Sequence, residues 1–276
     1  MIHRIVVLMS MLSAAASAGR SEVTLENGYN QMYNLQFEDA HGTFHEWERL
    51  HAGDPMGPVS DAAAFLFAEL DRLHVLQSEF FVHDQHWITD HKLEPDPGLK
   101  ERFENALEAS RELSSRKPDD ENSQFASILR TGLHSDYMAL IAKRYVASLQ
   151  EMKTGRMMAE KLLAKDPNVY DAWIAVGVEN YMLSVKRAPV RWVLRLTGAQ
   201  TDRGIGIEKL RLAAEKGHYL APFAQLMLAV AALRDSNPNR ARELLSVLAR
   251  EYPHNPLYRQ ELARLSPAIA VNTVAQ

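Results

Sequence analysis

Apolar residues along this chain recur every three or four positions, and nowhere does a run of β-branched and aromatic residues alternate with polar ones. Ile128, Leu129, Leu133, Tyr137, Leu140 and Ile141 make one such stripe; Phe103, Leu107 and Leu113 make another. That period is helical, and a helix apolar on one side needs a partner to cover it. The pattern predicts an all-α fold of packed helices. Long helices are expected over 62–81 and 99–116, and shorter ones over 207–216 and 220–233. The last stretch is nearly all apolar but too short for a membrane span, so it reads as a buried helix.

Breakers fall where paired helices should turn: Asp54-Pro55-Met56-Gly57-Pro58, Glu94-Pro95-Asp96-Pro97-Gly98, Lys117-Pro118-Asp119-Asp120, Asp166-Pro167-Asn168, Asn237-Pro238-Asn239 and Tyr252-Pro253-His254-Asn255-Pro256. Proline removes an amide donor and pushes the preceding residue out of the helical region. Asp or Asn beside it is suited to cap the next helix.

Self-similarity follows the same punctuation. Gly28 is followed at twelve residues by Ala40, then by Phe44 and Trp47. Ala229 is followed by Ala241, Leu245, Leu248 and Pro253, and Leu162-x4-Pro167 leads to Trp173 and Gly177. Small residues on a first helix let the second approach closely, and large ones fill the gap to the next pair. On these residues the chain resembles the tetratricopeptide repeat (TPR) superfamily, with degenerate units over about 22–55, 136–167, 170–216 and 222–255. The stretch from Pro55 to Asp119 has no clean unit. The segment from Arg187 to Ile207 is similar to a eukaryotic TPR family that includes a mitochondrial outer-membrane protein.

The resemblance implies antiparallel helix pairs stacked into a right-handed α-solenoid, with a protein or peptide ligand on the concave surface. In the three best frames that surface offers Tyr29, Met32 and Tyr33, then Tyr137, Arg144 and Ser148, then Tyr181 and Met182. Tyrosine, methionine and arginine suit a protein ligand. The alternative is that the same tyrosines are buried against a neighbouring helix. TPRs that clamp a carboxylate tail use lysine and asparagine on the first helix; here Leu140 and Arg144, or Leu226 and Val230, stand there, so that ligand is not implied.

Residues 1–18 read as a secretory signal: Arg4, an apolar run from Ile5 to Leu12, and small residues up to Ala18. Positions 19–276 are then a single exported helical array, periplasmic or extracellular. The 276 residues hold 31 basic against 35 acidic side chains and no cysteine. Disulfides, cysteine-ligated zinc, thiol nucleophiles and lipid anchoring on cysteine are excluded. A formal charge of −4 with dispersed cations disfavours nucleic acid.

Candidate chemistry is sparse. Seven of the eleven histidines lie between positions 41 and 91. His41 and His45 are four apart, so both imidazoles can share a helix face, and His83, His86 and His91 add donors. No His-Glu-x-x-His occurs, so helix-surface and interface histidines are the simpler reading. A metal-dependent hydrolase built on this region is the alternative function. No serine elbow or dinucleotide loop is present, and no catalytic residue or cofactor is assigned. Lys186, Arg187, Arg191, Arg195 and Arg203 surround Trp192 in a basic segment, 186–203. It suits an anionic lipid headgroup or an acidic peptide. The plainer expectation packs Trp192, Val193 and Leu196 against the neighbouring pair.

Overall fold

A computed structural model describes residues 23–76 and 93–265, and every regular element among them is helical. Helices α1 (Leu25–Tyr33) and α2 (Phe37–Leu50) form the first pair, and α3 (Met56–Arg72) and α4 (Pro97–Arg116) the second. Helices α5 (Glu121–Asp136) and α6 (Tyr145–Leu163) follow, joined through a π-helical turn at Tyr137–Ile141. A 3-10 turn (Tyr170–Ala172) leads into α7 (Trp173–Ser184), then come α8 (Ala188–Leu196) and α9 (Arg203–Lys216). The chain ends in α10 (Ala221–Arg234), α11 (Pro238–Glu251) and α12 (Pro256–Leu265). The segment 1–18 and His83, His86 and His91 lie outside the described residues.

All six breaker clusters fall at helix boundaries, four of them running into the first turn of the next helix at Met56, Pro97, Pro238 and Pro256, and several act as caps. Asp96 accepts from the Leu99 amide at 2.8 Å and Asp120 from Ser123 at 3.1 Å. Asp202 accepts from Ile205 at 3.0 Å and Asn237 from Arg240 at 3.1 Å. Each satisfies one of the amide donors left open in a first helical turn. The helix expected at 62–81 instead begins at Met56, whose amide donates to Asp54 at 3.0 Å, and ends at Arg72. His74 beyond it takes φ 58°, and the Val75 amide closes back onto the Leu70 carbonyl. Residues 77–81 lie outside the described residues.

Most helices pack on the next, with α7 packing on α9 and α9 on α10, while α3 also touches both α1 and α5. The small-residue spacing does what it is suited to do. A Cβ on Gly28 would stand 2.2 Å from the Phe44 ring, so only glycine lets α1 and α2 close on that aromatic. On α9, a Cβ at Gly206 would meet the Tyr181 backbone nitrogen at 2.6 Å. Helices α7 and α9 therefore cross backbone against side-chain-free backbone.

The two ends of the array meet. The Tyr33 hydroxyl donates to the Tyr219 carbonyl at 3.1 Å. The His254 amide donates to the Asn34 side chain and the Asn255 side chain donates to the Tyr33 carbonyl, both at 3.0 Å. Tyr29 stacks on Tyr219 with ring centres 5.0 Å apart, and Tyr33 packs on Tyr252 at 5.5 Å. The C-terminal helices thus fold back on α1, and the largest buried cluster joins α1, α2, α3, α5, α6 and α7.

Candidate functional site

Between the inner helices lies an apolar cleft. Tyr29, Met32 and Tyr33 of α1, Ala63 and Phe67 of α3, and Ile128, Leu129, Gly132 and Leu133 of α5 form one side. Met152 and Gly155 of α6, Ile174, Ala175 and Val178 of α7, and Phe223 of α10 form the other. It encloses about 840 Å³ including its open mouth. Gly132 faces empty space, with no atom within 4 Å of where a Cβ would stand.

One carboxyl intrudes into this lining. Asp136 is the last residue of α5, and the π-helical turn starts immediately after it. It stands three residues beyond Leu133 and seven beyond Leu129, on the side of the helix that lines the cleft. Asp136 is half-buried, and desolvation by the surrounding apolar groups pushes its carboxyl up from 3.8 to about 7. Among the described residues no hydrogen bond or ion pair reaches that carboxyl. The other acid at the cleft, Glu151, is engaged by His134 Nδ1 at 3.3 Å. The π-helical geometry follows from a broken register: the Ala142 amide donates back to Tyr137 and Lys143 adopts φ 57°, so α5 cannot continue along its apolar stripe. Such turns concentrate at functional sites.

The residues expected to bind a partner divide into three groups. Tyr29, Met32 and Tyr33 line the cleft, but they are largely buried, and both tyrosine hydroxyls are pushed up in pKa by that burial. Tyr29 accepts from Ser60 at 3.1 Å. Tyr181 is fully buried against α9 and Met182 packs on the same C-terminal cluster. Tyr137 lies in the π-helical turn, its ring stacked on Phe103, and Arg144 is exposed just before α6 with Ser148 buried one turn on. The first helix of that pair is α5, not a helix through 137–148, because the chain turns at 137–144. Asp136 is the residue that sequence reasoning missed; its signal was an acid set into an otherwise apolar stripe.

The histidine pair has a partner that spacing did not disclose. Asp61 of α3 is buried and reaches His41 Nδ1 at 2.5 Å and His45 Nε2 at 3.1 Å. The His41 ring packs on Phe65 with centres 4.0 Å apart. Glu48 lies one turn beyond His45, and a Cβ on Gly57 would crowd its Cγ at 2.6 Å. Burial first, then the Asp61 charge, raises the Glu48 carboxyl. His45, Glu48 and Asp61 bring one ligand atom each within 4.8 Å of one another, so among the described residues these three could hold a metal ion.

The basic segment departs from expectation. Trp192, Val193 and Leu196 do not pack on the neighbouring pair; all three are exposed. The body contacts of α8 run through its cations: Arg191 donates to the carbonyls of Ser184 and Lys186, and Arg195 to the Thr201 hydroxyl at 2.6 Å. The following loop is fixed by a buried network. Arg156 pairs with Glu179 at 3.0 Å and donates to the Gly198 carbonyl, and Glu179 accepts from the Gln200 amide at 2.9 Å. These bonds hold the start of the 198–202 connection on α6 and α7, which leaves α8 turned outward.

Fold and cleft together define an all-α protein of packed helical hairpins with an apolar inner groove. No family model, curated protein or solved structure matches the chain. No helix among the described residues is long and apolar enough to cross a membrane.

Proposed function

We propose that this chain is a TPR-like recognition module, exported to the cell envelope, that holds an apolar segment of a protein or peptide in its inner cleft. The observation that carries this reading is the cleft itself. Helices α1, α3, α5, α6, α7 and α10 aim apolar side chains at an open groove, and one carboxyl stands there without a partner among the described residues. A folded protein gains nothing in stability from such a group, and polar groups retained in apolar pockets commonly orient a ligand. Near neutral pH Asp136 is close to half ionised, so it can donate to a carbonyl or accept from an amide or amine. Aromatic and methionine side chains around it adapt to apolar residues of varied shape.

The test is a random-peptide display selection on the purified chain, with Gly132→Phe as the plugged control. A Cβ at Gly132 enters open space, so that variant keeps the fold while its ring fills the groove. Enriched peptides should be apolar, bind wild type, and lose affinity at least about tenfold on Gly132→Phe. Enrichment of nothing, or of peptides that bind Gly132→Phe equally, overturns the proposal.

A further inference from the structure

Helix α8 is amphipathic in the reverse of the usual sense. At about 100° per residue, Trp192, Leu196, Pro189, Val193 and Val190 occupy one continuous arc of about 160°. In a surface helix that arc faces the core. Here it faces water: Trp192 is 65 % exposed, Leu196 69 %, Val193 55 % and Val190 47 %. Leu194 and Arg191, on the opposite side, are the half-buried ones.

Cations edge this patch. Arg187 precedes α8, and Arg191 and Arg195 flank its body side, with Lys186 next to Arg187 in sequence. The Arg191 and Arg195 contacts to Ser184, Lys186 and Thr201 fix the roll of the helix. Lys153 donates to the Thr197 carbonyl at the helix end, so the outward orientation is held at both termini.

We infer that α8 is a membrane-surface anchor, whose Val190, Trp192, Val193 and Leu196 enter the headgroup boundary of an anionic bilayer while the exposed Arg187 and Arg195 pair with lipid phosphates. The charge pattern selects this occupant. Two exposed cations, Arg187 and Arg195, beside an apolar arc match an anionic interface, where tryptophan prefers the headgroup level and arginine reaches its phosphates. No acidic side chain occurs from Lys186 to Thr201, so nothing in the segment repels such a surface, although the whole chain is acidic. A helix of nine residues lies on a bilayer and does not cross it. This inference is independent of the cleft, which faces the interior of the array.

The test is flotation of the full chain with vesicles of phosphatidylcholine alone and of phosphatidylcholine with about a third phosphatidylglycerol. The variants are Trp192→Ser/Leu196→Ser, Arg187→Glu/Arg195→Glu, and Val146→Ser as an exposed apolar control elsewhere. Wild type and Val146→Ser should bind the anionic vesicles equally. Both α8 variants should bind at least about tenfold more weakly, and added salt should weaken wild type. Because the N-terminal apolar run is common to every protein compared, only the difference between variants is read. Equal binding of wild type and Trp192→Ser/Leu196→Ser overturns the inference. So does a wild-type dimer, seen in sedimentation and dissociated by that double change, that ignores vesicles; the patch is then an interface between copies.

Discussion

Replacing Asp136 by Asn tests whether the cleft retains an acid at the expense of stability. In the folded chain its carboxyl titrates near 7, against 3.8 for an unburied aspartate. Between those values the unfolded chain is ionised while the folded chain still holds the proton. The stabilising contribution is therefore complete below about pH 4 and lost as pH rises through about 7. A gap of about three pH units at about 1.36 kcal/mol each gives about 4 kcal/mol, and partial contact with water at the mouth of the cleft reduces this to about 2–4 kcal/mol. The amide that replaces the carboxyl cannot ionise, so this loss disappears from the variant. Urea unfolding of both proteins at half-unit steps from pH 4 to pH 8 measures it. The wild type should fall relative to Asp136→Asn across the whole interval and level off above about pH 8. Comparing the two cancels the other titrating groups, among them the raised Glu48, Asp71 and Glu179 and the lowered Asp96 and Glu108. A stability difference that stays constant with pH refutes the argument, since the carboxyl is then ionised and solvated in the folded state.

Further outcomes follow from packing and hydrogen bonding. Gly206→Ala pushes a methyl against the Tyr181 backbone, which cannot yield without parting α7 from α9, and should destabilise by about 1–3 kcal/mol. Gly42→Ala, on the exposed middle of α2 with open space for its Cβ, should instead stabilise by about 0.5–1 kcal/mol, and thermal melts distinguish the signs. Asp171 accepts the amides of His218, Tyr219 and Leu220 at 2.9, 3.1 and 2.9 Å, so Asp171→Ala should lower urea stability by about 3 kcal/mol and loosen amide protection where α10 begins. Asp61→Ala strips His41 and His45 of their shared acceptor and should lose about 1–3 kcal/mol in urea unfolding.

Local chemistry is written plainly in this sequence. The helix starts at Asp96, Asp120 and Asn237 were legible because a cap bonds an amide three residues away, whereas the helix expected from Ile207 starts at Arg203, capped by Asp202. The close approach of Gly28 to Phe44 was legible for a similar reason, since a hairpin brings together residues at a fixed small separation. Helix ends were less legible where the stop was conformational. Neither the left-handed His74 nor the π-helical turn after Asp136 interrupts the hydrophobic period that surrounds it.

By itself, then, the sequence determined that the chain is helical, where most helices begin, and which side of each is apolar. Only the tertiary structure decided what covers those sides. Tyr29 and Tyr33 are enclosed by Tyr219 and Tyr252, which are remote from them along the chain. Asp61 sits between two histidines from another helix, and Asp136 faces a cleft assembled from α1, α3, α5, α6, α7 and α10. Periodicity could not reveal the outward turn of α8 either, because an apolar arc looks the same in sequence whether it meets a neighbouring helix or open water. The buried bonds from Arg156 and Glu179 to the loop after α8 made that choice.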